Sequence, residues 1–355
     1  SGLGGGVIYN DHSDSVRLFG CVFYANRCRQ KEGGACIVNE YSHGMEVTDC
    51  RFESNVSAIS GGAIQFNFSN DHLVKDCIFH DNRAQRGGVF AYGPDCNGSI
   101  VQCSFTQNKA GDSNRPGGIG GVIIARNVML GIVNCRFSGN ESGDAGGVMV
   151  LESGSSVTLV QCVFNQNEAF NNGGVIAADN VVSLAVHNCT FFVNIAHRRN
   201  AGGIFIEADK RIPREQVIPF RSRFLLCNSV FWDNQDSGGN GQKSNLFVRG
   251  EHVDLNILAC CMQGWNGTIP GTYVIDQNPL FIDPNGDNET PDDDFMLKSG
   301  SLCINKGMNR LIAPDFIDMD HDGNTEELLG VDLAGQDRIV DRIVDLGPFE
   351  YGKRG

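Results

Sequence analysis

Short apolar stretches alternate with turn-forming residues along most of the chain. Residues 122–124, 148–150 and 157–159 are typical apolar stretches, and glycine, asparagine, aspartate and serine lie between them. No stretch has the length and 3.6-residue periodicity of a helix, whereas brief β-branched runs are typical of strands. Glycine and asparagine also tolerate the left-handed backbone of tight turns. The pattern predicts an all-β protein.

The phrase Cys-x-Phe-x-x-Asn repeats along the first two thirds of the chain. Consecutive copies are 29, 27, 26, 32, 27 and 27 residues apart at their cysteines, and an eighth copy has serine in the cysteine position. A second phrase, Gly-Gly followed by small or β-branched residues, comes after each asparagine. Two independent phrases with one period indicate a repeat structure. The copies of the first phrase begin at Cys21, Cys50, Cys77, Cys103, Cys135, Cys162, Cys189 and Ser229.

A period of about 27 residues suits one coil of a parallel β-helix, with three short strands and three turns. We therefore expect the phenylalanines to form an aromatic stack inside the coils. The asparagines should form a ladder of amide hydrogen bonds along the axis, and the glycine pairs should allow turns where a Cβ would clash. A leucine-rich repeat is the alternative, but its leucine-rich consensus is missing. The predicted fold is a right-handed parallel β-helix over residues 1–275 with a C-terminal capping segment, residues 276–355.

Phe-x-x-Asn alternating with Gly-Gly-Ala-Ile, as at Phe52, Asn55 and residues 61–64, resembles the repeats of polymorphic outer-membrane proteins and related bacterial adhesins. The resemblance covers roughly residues 1–240. It implies a secreted, extracellular or cell-surface β-helix, and it does not imply catalysis.

The negative charge is concentrated at the C-terminal end. The formal charge is −14, and residues 276–355 contain 18 acidic and 7 basic side chains. An acidic balance argues against a nucleic-acid partner, and the apolar stretches are too short for a membrane span. The order of the segments at residues 278–284, 295–301, 303–307 and 344–351 resembles the choice-of-anchor Q module of secreted bacterial β-helix proteins. Such a module would cover the unpaired strand edges of the last coil.

An Asp-x-Asp-x-Asp-Gly sequence in this segment matches the first half of a calcium-binding loop. The expected Ca²⁺ ligands are Asp318, Asp320, Asp322 and Asn324. A complete loop would have glutamate where Leu329 stands, so Glu326 or Glu327 would have to contribute instead. The alternative is a solvated acidic turn.

The chain has fourteen cysteines, and seven of them share one repeat position. Stacked on one interior face, their Cβ vectors would run parallel, which is poor geometry for disulfides. We interpret them as small buried residues. Cys-x-x-Cys spacing is absent, which argues against a zinc site.

Enzymes occur among β-helices, including pectate lyases, alginate lyases and polygalacturonases, but fold alone does not establish activity. The acidic residues and the eight histidines hold no shared position in the repeats. We therefore expect no catalytic residues and a structural or adhesive role. A polysaccharide lyase or glycoside hydrolase is the alternative, since an active site can converge from distant coils. A carbohydrate-binding protein is the third possibility.

Two sets of surface residues complete the candidate sites. The long insertion at residues 207–222 carries basic residues that could bind an acidic glycan or cell-envelope polysaccharide: Lys210, Arg211, Arg214 and Arg221. The alternative is a loop that only shields the stacked coils. Asn-x-Ser/Thr sequons at Asn55 and Asn140 belong to the interior ladder and should be inaccessible. In a eukaryotic source, the expected glycosylation sites are Asn67, Asn97, Asn266 and Asn288.

The chain begins inside a coil, at residues 4–7. Either it is a processed form or fragment, or its open end stacks on a neighbour. Head-to-tail stacking of this kind would produce a homo-oligomeric fibre.

Overall fold

The computed structural model describes residues 6–29, 34, 36–111, 117–208, 221–284, 294–319 and 323–352. Four sheets run along the length of the repeat region, and each coil contributes one strand to each sheet in turn. We call them sheets A to D in chain order and number the coils from the N-terminus. Eight coils have all four strands, and a ninth has three. The predicted parallel β-helix is confirmed.

Strand bounds follow the coil order in each sheet. Sheet A contains Ile8–Asp11, Ile37–Glu40, Ile64–Asn67, Phe90–Tyr92, Ile123–Arg126, Met149–Glu152, Ile176–Asp179, Ile204–Ala208 and Leu246–Gly250. Sheet B contains Arg17–Phe19, Glu46–Thr48, His72–Lys75, Cys96–Val101, Val128–Val133, Ser156–Val160, Ser183–His187, Ser222–Cys227 and Val253–Leu258. Sheet C contains Val22–Tyr24, Arg51–Glu53, Ile78–His80, Ser104–Thr106, Arg136–Ser138, Val163–Asn165, Thr190–Phe192, Val230–Trp232 and Cys261–Met262. Sheet D contains Arg27–Cys28, Val56–Ser57, Arg83–Ala84, Lys109–Ala110, Glu141–Ser142, Glu168–Ala169, Ile195–Ala196, Gln235–Asp236 and the antiparallel Gly239–Asn240.

Each coil therefore has four strands, whereas the sequence predicted three. The additional strand is the two-residue strand of sheet D, which directly follows the asparagine of the repeat phrase. It was missed because two residues are too short to show a hydrophobic alternation.

The phenylalanines of the repeat form the predicted stack inside the coils. They occupy matching register positions in sheet C, as Phe52 does opposite Phe23 and Phe79. Ring centroids of successive phenylalanines from Phe23 to Phe231 are 4.6–4.9 Å apart. The spacing follows from the distance between paired strands, so the stack is a direct consequence of the repeat.

The asparagines form the predicted ladder. From Asn26 to Asn234, each Nδ2 donates to the Oδ1 of the asparagine in the next coil at 2.8–3.1 Å. The same Nδ2 also donates to the carbonyl of the stacked phenylalanine in the preceding coil, as Asn140 does to Phe105 O at 2.9 Å. The ladder thus satisfies buried polar groups at every coil.

Single left-handed residues form the corners of the coils. Asp49, Asp76 and Asn134 precede ladder cysteines and have φ of 53°, 52° and 53°. The glycine pair forms another corner. Gly61 has φ +57°, and a Cβ on Gly62 would lie 1.9 Å from the carbonyl oxygen of Gly88. The predicted need for glycine at this turn is confirmed.

All fourteen cysteines are free thiols, and the ladder cysteines are hydrogen-bonded within the wall of the helix. Cys50 N–H donates to Cys77 Sγ at 3.4 Å, and Cys77 Sγ donates to Lys75 O at 3.1 Å. Ser229 makes the same two bonds, since its Oγ accepts from Cys189 N–H at 3.0 Å and donates to the Cys227 carbonyl at 2.7 Å. The interpretation of the ladder cysteines as unpaired interior residues is confirmed.

The C-terminal part takes a different position from the one expected. The sequence assigned the cover of the last coil to residues 276–355, but the side chains over that end belong to Trp265, Ile269 and Val274, which pack against the core. Bridges from Leu258 to Thr272 and from Cys261 to Ile275 continue the parallel pairing there.

The described residues between 276 and 352 instead turn back and pack along the side of the solenoid. Their apolar side chains cover outward-facing valines of coils 5 to 8, including Val133, Val160, Val163 and Val230. The elements outside the sheets are the helices Gln242–Asn245 and Asn309–Leu311 (the latter 3₁₀) and the antiparallel pair Phe281–Asp283 and Asp294–Leu297.

Candidate functional site

A groove of about 630 Å³ crosses the outer face of sheet B at coils 3 to 6. Its floor consists of the strands of sheet B, and its wall is a turn of the C-terminal segment at residues 316–317. We call this cavity the sheet B groove. It is built where two separate parts of the chain meet, which is the usual place for a ligand site.

The floor consists of two columns of outward-facing side chains. Parallel register aligns Leu73, Ser99, Gly131 and Thr158 in one column. The neighbouring column contains Asn97, Met129 and Ser156 in the same alignment. The hydroxyl and amide side chains can donate and accept hydrogen bonds, and Leu73 and Met129 add apolar surface to the floor.

Phe316 forms the apolar wall and is 41% exposed. Its ring lies over Gly131, where a Cβ would be 2.6 Å from the ring. The turn is held by Asp315, which is buried and whose carboxylate accepts the N–H of Met319 at 2.9 and 3.0 Å. Asp315 N–H also donates to Glu327 O at 2.9 Å. The aromatic side chain is therefore presented by a braced turn.

His72 belongs to the interior below the floor, where it stacks on Phe66 with centroids 4.2 Å apart. Its Nε2 is 3.2 Å from the Tyr92 hydroxyl, and a Cβ on Gly98 would lie 2.5 Å from its ring. Burial lowers the pKa of His72 to about 3, so the imidazole is neutral.

The groove lining has little acid–base chemistry to offer. Asp71 is its one carboxylate among the described residues, and no lysine or arginine lines it. A glycosidase requires two carboxylates flanking the bond, and a lyase requires a base near a neutralising cation. The lining instead combines hydrogen-bonding side chains with apolar side chains and the aromatic ring of Phe316.

A second cavity of about 650 Å³ lies between residues 273–275 and 306–310. It is lined by Lys306 and Arg310, with the exposed Tyr273 at its edge. The described residues of this lining include no carboxylate. The second cavity is therefore more favourable for an anionic ligand than the sheet B groove is.

Cys227 and His187 form a pair that sequence reasoning missed. Cys227 Sγ is 3.2 Å from His187 Nδ1, which is also 2.9 Å from the carbonyl oxygen of Leu311. Burial raises the pKa of the Cys227 thiol and lowers that of His187. Both groups are thus kept neutral beneath the C-terminal segment, so the pair lacks the thiolate that a cysteine nucleophile requires.

The amide residues that precede Cys162, Cys189 and Ser229 hold the C-terminal segment. Gln161 Nε2 donates to Val331 O at 2.8 Å, and Asn228 accepts the N–H of Met308 at 2.8 Å. Asn188 Nδ2 donates to the carbonyl of Gly347 at 3.4 Å. In the sequence, amide or carboxylate residues directly precede most of the ladder cysteines. This pattern is the one that could have indicated the residues that bind the C-terminal segment.

The expected glycan loop and calcium loop lie only partly within the described residues. Arg221 is exposed, whereas Lys210, Arg211 and Arg214 lie outside that range. Asp320 and Asp322 lie outside it as well. Asp318 Oδ1 accepts the N–H of Gly323 at 3.1 Å, and Asn324 Nδ2 donates to Glu327 at 3.1 Å. In the described parts of the chain, no cluster of three metal-ligating side chains occurs. Calcium binding stays a prediction.

The sequons occupy different environments. Asn55 and Asn140 are buried in the ladder, as expected. Asn266 is exposed, and its Oδ1 accepts the N–H of Thr268 at 3.0 Å. Asn67 and Asn97 are half-buried, and Asn97 lines the sheet B groove. The remaining sequon asparagine, Asn288, lies outside the described residues.

Comparison with known proteins identifies the family. A family model described as a right-handed β-helix region matches residues 5–213, which is more than half of the chain. The protein therefore belongs to the right-handed β-helix family, and the predicted handedness is confirmed. No curated protein matches the chain at a significant level. Among the described residues, no helix has the length and apolar character needed to span a membrane.

Proposed function

We propose that the protein is a non-catalytic, extracellular or cell-surface β-helix that binds a neutral glycan in the sheet B groove. The observation that carries the proposal is the lining of that groove. Asn97, Ser99 and Thr158 supply neutral hydrogen-bonding groups, and Phe316 supplies an aromatic wall, whereas Asp71 is the one carboxylate among the described lining residues. Sugar rings combine hydroxyl groups with apolar C–H faces, so both kinds of side chain have a partner.

The adhesin-like repeats support the proposed location. Surface proteins present rigid, extended scaffolds, and the stacked coils form such a scaffold. The proposed location favours a glycan of a cell envelope or extracellular matrix as the ligand. The resemblance of the C-terminal segment to an anchor-type module also supports the proposed cell-surface location.

Binding and turnover can be measured in one experiment. The purified chain is mixed with neutral polysaccharides and with polygalacturonate, with calcium and with a chelator. Affinity electrophoresis measures retention, and assays for reducing ends and unsaturated products measure cleavage. We expect retention by a neutral polysaccharide and no product. Retention that depends on calcium would connect the loop at residues 318–324 with the groove.

The variant Phe316→Ala should weaken retention about tenfold, as expected for an aromatic anchor at the centre of a binding surface. Phe170→Ala is the matched control, because Phe170 is also 41% exposed but lies outside the groove, under Arg198. Product release would favour the alternative of a polysaccharide lyase or glycoside hydrolase. Retention of polygalacturonate alone, lost in a Lys306→Ala/Arg310→Ala variant, would assign binding to the second cavity and contradict the proposal.

A further inference from the structure

Cys261 is the point where the last coil and the C-terminal segment meet. It follows Cys260, and the two adjacent side chains point to opposite faces of the strand. Cys260 belongs to the core inside the coils, whereas Cys261 packs outward among residues of the C-terminal segment. Cys303 lies in that same outer cluster. All three cysteines are fully buried.

Cys261 and Cys303 lie in the same buried cluster, where the two side chains are neighbours. Cys261 Sγ also donates to Gln277 O at 3.1 Å. The backbone of Cys303 is held on both sides, since its N–H donates to Ser301 Oγ at 3.1 Å and its carbonyl accepts from Leu346 N–H at 3.1 Å. The two thiols therefore face each other from two separately fixed parts of the chain.

This arrangement differs from that of the ladder cysteines. Cys162 and Cys189 also touch, but they lie on neighbouring parallel strands and their Cβ atoms point the same way. In this column Cys162 N–H donates to Cys189 Sγ at 3.4 Å, so the contact runs along the stack from backbone to side chain. Disulfide geometry requires two side chains that converge. Cys261 and Cys303 meet this requirement because one points out of the solenoid and the other packs onto it.

We propose that Cys261 and Cys303 are a disulfide-forming pair that ties residues 276–352 to the last coil in an oxidising compartment. The oxidant is a small-molecule disulfide such as glutathione disulfide. One cysteine loses its proton and attacks the oxidant, which releases one small thiol and forms a mixed disulfide. The second cysteine, as thiolate, displaces the second small thiol. Two protein thiols are oxidised by two electrons, and the oxidant is reduced to two thiols.

The bond would close a loop of about forty residues. It would restrict the separation of the C-terminal segment from the solenoid, and it would hold the wall of the sheet B groove in place through the rest of that segment. Because both thiols are buried, oxidation takes place before the segment packs or while it is open. The pairing assumes the extracellular location of the proposed function, but its test does not involve a glycan.

The test is refolding of the reduced chain in a glutathione redox buffer, followed by alkylation of the remaining thiols and non-reducing peptide mass spectrometry. We expect one dominant linked peptide pair, containing residues 261 and 303, and alkylated ladder cysteines. Hydrogen exchange at residues 294–319 should be about tenfold slower in the oxidised chain, because the tie disfavours local opening.

Adjacent cysteines provide matched variants. Cys261→Ser and Cys303→Ser should abolish the linked pair, whereas Cys260→Ser should retain it. Serine is accepted at a ladder position already, at Ser229. A wild-type chain that stays reduced at both residues, or that links Cys260 or ladder cysteines instead, would overturn the proposal. The wild-type map decides the question even if a variant does not fold.

Discussion

Each buried asparagine of the ladder connects three coils. Asn140 Oδ1 accepts the backbone N–H and the Nδ2 of Asn108, both at 3.0 Å. Its Nδ2 donates to the Phe105 carbonyl and to Asn167 Oδ1, both at 2.9 Å. Serine or aspartate could not make all of these bonds, because neither has two donors and an acceptor. The requirement explains why the repeat phrase ends on asparagine in every copy.

Replacing Asn140 with alanine should destabilise the protein by roughly 3 kcal/mol or more, since several buried polar groups lose their partner. The free energy of unfolding, measured by denaturant titration, tests this. Cys162→Ser is the matched control in the next coil, and it should cost much less because Ser229 makes both ladder bonds. Equal losses for the two variants would contradict the assigned role of the ladder amide.

At the scale of elements, the C-terminal segment carries its own buried charge cluster. Arg338 is 1% exposed, and its Nη2 donates to the carbonyl of Gly347 at 2.7 Å. Its Nη1 is 3.4 Å from Glu350 Oε1. Burial raises the pKa of Glu350 to about 8, although Arg338 acts in the opposite direction. Burial also raises the pKa of Asp345.

These pKa values make the stability of the segment dependent on pH. Between the unfolded pKa of 4.5 and the folded pKa of about 8, the folded segment retains a proton on Glu350 that the unfolded segment loses. Stability should therefore fall as pH rises through this window, by an amount on the order of a few kcal/mol. Hydrogen exchange of residues 329–350 at about pH 5 and about pH 9 measures it. Glu350→Gln should flatten the dependence, and an unchanged slope in that variant would contradict the assignment.

At the scale of the whole molecule, the two ends of the solenoid differ. The described strands of coil 1 pair only with coil 2, whereas the end beyond coil 9 is covered by Trp265, Ile269 and Val274. End-to-end association into a fibre stays a prediction, and it would require residues 263–275 to leave the core they cover.

Trp265→Asp/Ile269→Asp should therefore increase association, because charge at these positions disfavours packing of the cover and exposes the strand edges of the last coil. Light scattering across a concentration series would show a rising molar mass. Tyr273→Asp, at a residue 71% exposed, is the control and should behave as the wild type. A variant that stays monodisperse would contradict the covering role, and a wild type that is strictly a monomer would exclude the fibre.

The sequence alone predicted the coil, its period, the phenylalanine stack and the asparagine ladder. These features are periodic, so the position of one residue in a repeat gives the position of its equivalent in every coil. Because the strands of neighbouring coils pair at a fixed spacing, equivalent residues are in contact. The sequence did not show that Gln161, Asn188 and Asn228, which precede three ladder positions, would bind the C-terminal segment, since they resemble ordinary turn residues.

Only the tertiary structure decided the course of the non-repeating segment. This segment has no period that specifies a register, so the position of its described residues depends on which apolar side chains fit the outward valines of the coils. That packing places Phe316 over Gly131 to form the groove, and it brings Cys303 to Cys261. The repeat determined the scaffold because the same contact recurs between each pair of neighbouring coils. Packing of the non-repeating segment determined the sites, because nothing periodic in the sequence reports which of its residues meet the coils.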